Sequence, residues 1–129
     1  MKREILVVDD DQDTREVLAT ALTNEKHTVW LTSSLYGALQ IFSAVQVIDT
    51  LVLDYNLPGM PLDEFIRKAK AYQPKLIIIL ISSIDRLHEK AQKYGIKYFL
   101  SKPFDFEILR EIILQIPDGA SPMSSQGGP

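Results

Sequence analysis

The amino-acid sequence contains no cysteine among its 129 residues. Disulfide bonds, thiol nucleophiles and thiolate metal sites are therefore excluded. Long apolar runs are also missing: the longest, residues 76–81, has six residues, whereas a membrane-spanning helix needs about 20. We therefore predict a protein without a membrane span.

An excess of positive charge is missing as well, because the formal net charge is −3. Domains that bind nucleic acids usually carry a basic surface, so we expect no direct binding to DNA or RNA. The first apolar run begins at Ile5, which leaves no room for a signal peptide before it. Together with the lack of cysteine, this predicts a cytoplasmic protein.

The residues that are present fit one globular domain. Apolar residues make up 46% and charged residues 24%, as in ordinary globular proteins. From Pro117 onward the composition changes to mostly Pro, Gly and Ser, and such a segment buries too little to offset its ordering entropy. We predict a domain at residues 1–116 and a disordered tail or linker at residues 117–129.

Short apolar runs and amphipathic segments alternate five times along this domain. The runs are uninterrupted, which is typical of strands covered on both faces of a parallel sheet. We predict strands at about residues 4–8, 28–32, 50–53, 76–81 and 97–100. We predict helices at residues 12–25, 34–44, from Pro61 onward, 85–94 and 105–116. The alternation indicates an α/β fold with a doubly wound parallel sheet and right-handed crossovers.

Helical spacing adds detail to these segments. It places Val17 with other apolar residues on one face of the first helix, and the last helix has Ile108 among its apolar residues. Pro61 suits the first turn of the third helix. Gly95 is predicted to end the fourth helix as its carboxyl-terminal cap.

Charged residues stand at the ends of three predicted strands. Asp9 and Asp10 follow the first strand, Asp54 follows the third, and Lys102 follows the fifth. Because the carboxyl ends of parallel strands meet at one edge of the sheet, where ligands bind, we expect these side chains to lie together. Crowded carboxylates raise each other's pKa unless a cation compensates them. Oxygen-only ligands suit Mg²⁺ or Mn²⁺, and a carboxylate, a divalent ion and an ammonium are what phosphoryl transfer needs.

Each of these residues has a simpler explanation when it is taken alone. Residues 9–11 could be an acidic cluster at the start of a helix. Asp54 could open an Asx turn, and Lys102 could be a surface lysine before a turn. The joint placement of the residues favours a phosphoryl-transfer site over these separate explanations.

Four segments resemble the receiver domains of two-component response regulators, such as those of the chemotaxis family. The segments are residues 5–11, 51–60, 80–83 and 99–104, and they contain the charged residues at the strand ends. The resemblance covers residues 4–116 and is specific, because four motifs occur in order with appropriate spacings. It implies a flavodoxin-like (βα)5 fold with strand order 2-1-3-4-5 and three α/β/α layers.

The resemblance also implies roles for individual residues. Asp54 would accept a phosphoryl group from a histidine kinase or a histidine phosphotransfer protein. Mg²⁺ would be held by Asp9, Asp10, Asp54 and the backbone carbonyl of Asn56. Ser82 would bond to the phosphoryl group, and Lys102 would pair with it.

The implied output is a conformational switch. After phosphorylation, Ser82 and Lys102 would move inward and Phe99 would turn into the gap. The signal would leave through the surface of the last two helices and the last strand, toward a downstream effector or into a homodimer. Ser83 is an alternative to Ser82 as the hydroxyl, and Phe99 could also be an ordinary core residue.

The sequence departs from the family pattern at two places. Pro61 and Leu62 stand where the family usually has a small or polar residue followed by glycine, so we expect the loop after Asp54 to take a different path. Ser82 and Gly95 are 13 positions apart, closer than is common in the family. We therefore expect a short fourth helix or a short loop before it.

Basic side chains mark the predicted fourth helix. Arg86, Lys90 and Lys93 have helical spacing, and Lys97 is nearby. They could form a solvated face, or they could dock an acidic surface of a partner. Ile84 lies beside the expected path of attacking water, so we predict that it lengthens the lifetime of the acyl phosphate. An unchanged phosphate half-life in Ile84→Glu would contradict this.

Three functions are compatible with these residues. The favoured one is a Mg²⁺-dependent phosphoacceptor that is not an enzyme beyond its own phosphorylation and dephosphorylation. A degenerate receiver that serves as a binding module is the second. The third is a phosphohydrolase with an aspartyl phosphate intermediate. It is disfavoured because Asn56 occupies the position, two residues after the nucleophile, where those enzymes generally need an acid or base.

Overall fold

The structure is a computed structural model that describes residues 2–117. Within these residues the strands are β1 (Glu4–Val8), β2 (Thr28–Thr32), β3 (Thr50–Asp54), β4 (Ile77–Ser82) and β5 (Tyr98–Ser101). The helices there are α1 (Gln12–Asn24), α2 (Leu35–Ala44), α3 (Leu62–Tyr72), α4 (Leu87–Lys93) and α5 (Phe106–Gln115). The predicted tail lies, apart from Pro117, outside the described residues.

The strands form one parallel sheet in the order β2-β1-β3-β4-β5. The predicted flavodoxin-like order is therefore confirmed. The register pairs Val8 with Leu53 and Asp54 with Ile81. Neighbouring strands thus end close to one another, and the residues that follow them share one edge of the sheet.

Apolar side chains form a core on each face of the sheet. Successive residues of a strand point to opposite faces, so Leu6 and Val8 lie in one core and Ile5 and Val7 lie in the other. Residues of α2, α3 and α4 cover the first core, and residues of α1 and α5 cover the second. Every residue of β3 is buried. These contacts confirm the three-layer α/β/α architecture.

Short polar side chains start the first two helices. Asp11 is the N-cap of α1 and accepts a hydrogen bond from the backbone N–H of Asp13 (3.3 Å). Ser34 caps α2 and accepts from the N–H of Gly37 (2.9 Å). Such caps satisfy N–H groups that have no partner inside the helix. The helix-start explanation of residues 9–11 therefore applies to Asp11.

Some details of the helices differ from the sequence prediction. Val17 is 63% exposed and Ile108 is 48% exposed, because each lies beside the buried stripe of its helix. Pro61 is the N-cap of α3 and not a helical residue, since its backbone is extended (ψ 142°). Gly95, by contrast, has a left-handed backbone (φ +70°) just after α4, as a carboxyl-terminal cap requires.

At the amino ends of the strands, a buried arginine joins three parts of the chain. The Nη2 atom of Arg3 donates a hydrogen bond to the carbonyl oxygen of Ile116 (2.7 Å), just after α5. The backbone N–H of Arg3 donates to Nδ1 of His27 (2.9 Å), which follows α1. Burial, and then the nearby positive charge of Arg3, hold the pKa of His27 below its ordinary value.

Within residues 2–117, no helix is both long enough and apolar enough to cross a membrane. The cytoplasmic location stays a prediction.

Candidate functional site

The carboxyl edge of the sheet collects polar side chains from four strands. Asp54 is the last residue of β3, and Ser82 is the last residue of β4. Asp9 directly follows β1, and Lys102 directly follows β5. Backbone hydrogen bonds extend the ladders to these positions, from Asp9 to Thr32 (3.2 Å) and from Lys102 to Ser82 (2.8 Å). These four residues are therefore attached to the sheet and not to free loops.

Three carboxylates converge at this edge. One oxygen from each of Asp9, Asp10 and Asp54 lies within 4.8 Å of the others. Asp9 is fully buried, whereas Asp10 is exposed, so the two adjacent acids have different environments. Mg²⁺ prefers oxygen ligands, carboxylates among them. The three carboxylates at this edge therefore fit a hard divalent cation.

Lys102 supplies positive charge to the site. Its Nζ lies 2.8 Å from Oδ2 of Asp9 and 3.8 Å from Oδ2 of Asp54. The other oxygen of Asp9 accepts a hydrogen bond from the backbone N–H of Asp11 (2.9 Å). One ammonium facing three carboxylates leaves this cluster with an excess of negative charge.

The carboxyl group of Asp54 is destabilised in its ionised form. Burial raises its pKa above the ordinary value; Lys102 opposes this shift, and the Asp9 carboxylate adds to it. Its Oδ1 accepts a hydrogen bond from the N–H of Asn56, but the bond is long (3.3 Å). A further cation at the site would therefore be favoured electrostatically.

Ser82 and Ser83 have different surroundings. Ser82 is fully buried, and its Oγ accepts a hydrogen bond from the N–H of Ile84 (3.2 Å). Its backbone is fixed in the sheet by pairing with Ser101. Ser83 is exposed and lies at a groove beside Lys102. The position of Ser82 at the end of β4 favours it over Ser83 as the hydroxyl of the site. The role of Ser82 stays a prediction.

Phe99 is half-buried on β5 and packs against the core that α4 covers. Its ring contacts the imidazole of His88 on α4, with centroids 5.2 Å apart and planes inclined by 48°. His88 was not predicted from the sequence, because the two residues are distant in the chain and share no pattern. The switching role of Phe99 stays a prediction.

The loop after Asp54 turns at Gly59, whose backbone (φ +115°) is rarely adopted by other residues. The hydroxyl of Tyr36 donates a hydrogen bond to the carbonyl oxygen of Gly59 (3.1 Å). Leu62 begins α3 and has no positive φ. The different path expected for this loop stays a prediction. The contact of Tyr36 with the loop gave no signal in the sequence.

The basic side chains near α4 do not form the continuous helical stripe that their spacing predicts. Arg86 has a left-handed backbone (φ +60°) and is the residue before α4, so it cannot continue the helical spacing of Lys90 and Lys93. The helix itself is short, with seven residues, as expected. The Nζ atoms of Lys93 and Lys97 each lie 5.5 Å from the centre of an adjacent tyrosine ring.

An apolar groove of about 480 Å³ opens beside the charged cluster. Its walls come from α1, from the residue after β4, from the segment between β5 and α5 and from the first residue of α5. They are Asp13, Thr14, Val17, Leu18, Ser83, Lys102, Pro103, Phe104 and Phe106. The exposed Val17 thus belongs to a surface groove, and not to the core as its helical spacing suggested.

Residues 5–114 match the family model of the response regulator receiver domain. The chain is 28% identical to the response regulator protein FleR of Pseudomonas aeruginosa, over 100% of this chain but only 28% of FleR. A CheY-like receiver domain protein from Methanospirillum hungatei has a TM-score of 0.81 at 22% identity, over 93% of this chain and 97% of the other. The response regulator TrrA from Thermotoga maritima, solved in complex with Mg²⁺ and BeF, has a TM-score of 0.75 at 25% identity, over 88% and 97%.

Proposed function

We propose, because the chain belongs to the response regulator receiver domain family of two-component systems, that Asp54 accepts a phosphoryl group from a phosphohistidine. The donor would be a histidine kinase or a histidine phosphotransfer protein. One observation carries the proposal: Asp54 is 6% exposed, with two more carboxylates within 4.8 Å and the Lys102 ammonium 3.8 Å away. A carboxylate placed among like charges is costly, and phosphoryl transfer supplies a reason for it.

The bond changes of the proposed reaction take place between Asp54 and the donor. An oxygen of Asp54 attacks phosphorus, and the bond between phosphorus and the imidazole nitrogen of the donor breaks. The electron pair of that bond stays on the nitrogen, and Asp54 becomes an acyl phosphate. Lys102 is close enough to Asp54 to compensate the negative charge that arrives.

A divalent cation fits this chemistry. The residues that would hold Mg²⁺ are Asp9, Asp10, Asp54 and, through its backbone carbonyl, Asn56. When bound, the ion would withdraw charge from the phosphoryl oxygens. The oxygen-only donor set supports this assignment, as does the presence of Mg²⁺ in the structure of TrrA.

We assign docking of the donor protein to the groove between α1 and the segment after β5. The groove adjoins Lys102, and its wall includes the exposed residues Val17 and Pro103. An apolar surface next to a charged centre suits the apolar face of a partner helix. Val17→Glu should slow transfer from a phosphorylated donor protein and leave labelling by acetyl phosphate unchanged. Equal slowing with both donors would contradict this assignment.

Phosphorylation would then change the conformation of the output surface. Ser82 and Lys102 would move toward the phosphoryl group, and Phe99 would turn into the space and leave His88. The signal would pass through α4, β5 and α5 to a downstream effector or to a second copy of the chain. The basic residues of this surface suit an acidic partner; they are Arg86, Lys90, Lys93 and Lys97.

The two alternative functions have less support. A degenerate receiver would not need its carboxylates, lysine and buried serine together at one edge. A phosphohydrolase would need an acid or base near Asp54, and the amide of Asn56 cannot act as a general acid or base near neutral pH. We therefore propose no turnover beyond the domain's own phosphorylation and dephosphorylation.

Intact-mass measurement after incubation with acetyl phosphate tests the proposal. The wild type should gain one phosphate in the presence of Mg²⁺ and none without it. Asp54→Asn should gain none. The control Asp85→Asn removes an exposed carboxylate outside the cluster and should be labelled like the wild type. Labelling that persists in Asp54→Asn would contradict the assignment of Asp54.

A further inference from the structure

Arg15 contacts the site from α1. Its Nη1 donates a hydrogen bond to the backbone carbonyl oxygen of Asp9 (2.8 Å). This carbonyl belongs to the first residue after β1, between the strand and the N-cap of α1. Hydrogen bonds from a charged donor are among the stronger ones in proteins. The guanidinium therefore holds the backbone at the point where the acidic pair begins.

This contact fixes the peptide that joins Asp9 to Asp10. The N–H of Asp9 donates to Thr32, and the carboxylate of Asp9 is held by Lys102 and by the N–H of Asp11. Asp10 is exposed, so packing does not hold its carboxylate in place. The direction of that carboxylate depends on the orientation of the peptide before it, and Arg15 bonds to the oxygen of that peptide.

We propose that Arg15 is a positioning residue that orients the Asp9–Asp10 peptide and thereby keeps the Asp10 carboxylate within reach of a divalent cation. The inference rests on the Mg²⁺ site proposed above. Contacts that orient metal ligands without touching the metal typically change metal affinity by about tenfold or more when they are lost.

Charge and position act in opposite directions at Arg15. Its guanidinium is a cation beside a site for cations, so removing its charge would by electrostatics alone strengthen Mg²⁺ binding. Loss of the hydrogen bond to Asp9 would weaken Mg²⁺ binding by releasing Asp10. The sign of the change in affinity therefore separates a positioning role from a mere contribution to the local charge.

Binding of Mn²⁺, measured by the electron paramagnetic resonance signal of the free ion, tests this sign without any phosphorylation. Arg15→Met should weaken binding by about tenfold. Arg15→Lys keeps the charge with a shorter donor and should fall between Arg15→Met and the wild type. The matched control Arg110→Met removes an arginine that pairs with Glu25, just after the far end of α1, and should bind like the wild type.

Far-UV circular dichroism should show that each variant is folded, and Arg15→Gln replaces Arg15→Met if the latter is not. Unchanged or tighter binding of Mn²⁺ in the folded variant would overturn the positioning role. Failure of the wild type to bind Mn²⁺ would instead overturn the metal site itself, and the positioning role with it.

Discussion

The two edges of the sheet both bury charged side chains, but they differ in the groups that surround the charge. At the amino edge, the guanidinium of Arg3 bonds to the carbonyl oxygen of Ile116, where the end of α5 offers a partial negative charge. At the carboxyl edge, Lys102 faces three carboxylates. The hydrogen bond of Arg3 joins the residue before β1 to the residue after α5. The cluster around Lys102 keeps an excess of negative charge.

Burial alone does not separate these two kinds of site. Arg3 is 5% exposed and Asp54 is 6% exposed. They are separated by the balance of charge around them, because the surroundings of Asp54 raise its pKa and so disfavour its ionised form. A buried charge that is held by backbone carbonyl oxygens is structural, whereas a carboxylate crowded by other carboxylates suits the binding of a cation.

The largest effect that would test this comparison is expected at Lys102. Lys102→Met leaves the carboxylates of Asp9 and Asp54 buried without their cation, so it should lower the free energy of unfolding by about 3 kcal/mol in metal-free buffer. Mg²⁺ should restore part of the loss. Urea denaturation with EDTA and with Mg²⁺ measures both values, and Lys97→Met, which removes an exposed lysine, is the control. Equal losses in the two lysine variants would contradict the prediction.

At the amino edge, Arg3→Met should cost about 2 kcal/mol, as expected for the loss of a hydrogen bond from a charged donor. Here Mg²⁺ should restore nothing, because the residue is at the opposite edge from the carboxylates. Urea denaturation of Arg3→Met with EDTA and with Mg²⁺ measures both the loss and any recovery. Recovery of Arg3→Met in Mg²⁺ would show that the two edges are not independent.

Neutralising Asp54 should have a smaller effect of opposite sign. Its raised pKa means that the folded state holds the proton more tightly than the unfolded state, so stability falls as pH rises through that pKa. Asp54→Asn removes this penalty and should stabilise the metal-free protein at pH 7 by about 1 kcal/mol. Asp85→Asn is the matched control. Destabilisation by Asp54→Asn would refute the charge-excess explanation.

The smallest effect is expected from His27. Its lowered pKa means that the unfolded state binds the proton more tightly, so stability should decline as pH falls below about 6.5, the ordinary value for histidine. Protonation also places an N–H where Nδ1 accepts from Arg3. Denaturation at pH 7.5 and pH 5.5 should show a smaller decline in His27→Gln than in the wild type. An identical decline would exclude His27 as its source.

The sheet and its carboxyl edge were predictable because the reasons for them are local or topological. Uninterrupted apolar runs identify buried strands, and parallel strands bring their carboxyl ends together whatever the details of packing. Asp9, Asp54 and Lys102 could therefore be placed side by side from their positions in the sequence. The family resemblance supplied the strand order.

The helix faces and the long side chains were not predictable in the same way. Periodicity groups Val17 and Ile108 with the other apolar residues of their helices. Whether each of them is buried depends on how its helix lies on the sheet. Arg86 has the right spacing for a stripe, but its left-handed backbone precedes the helix. The contacts of Arg15 and Tyr36 join separate elements, and their distances follow from packing that no sequence period encodes.

The position of β3 has a mechanical consequence. β3 lies at the centre of the sheet and is buried at every residue, whereas β5 is an outer strand of four residues beside the seven-residue helix α4. Asp54 therefore stands on a strand that is buried at every residue, whereas β5 and α4 lie at one margin of the sheet. A change of structure that begins at Asp54 should displace β3 little and displace β5 and α4 more. If Asp54 is phosphorylated as proposed, the burial of β3 would leave β5 and α4 as the parts of the domain that can yield.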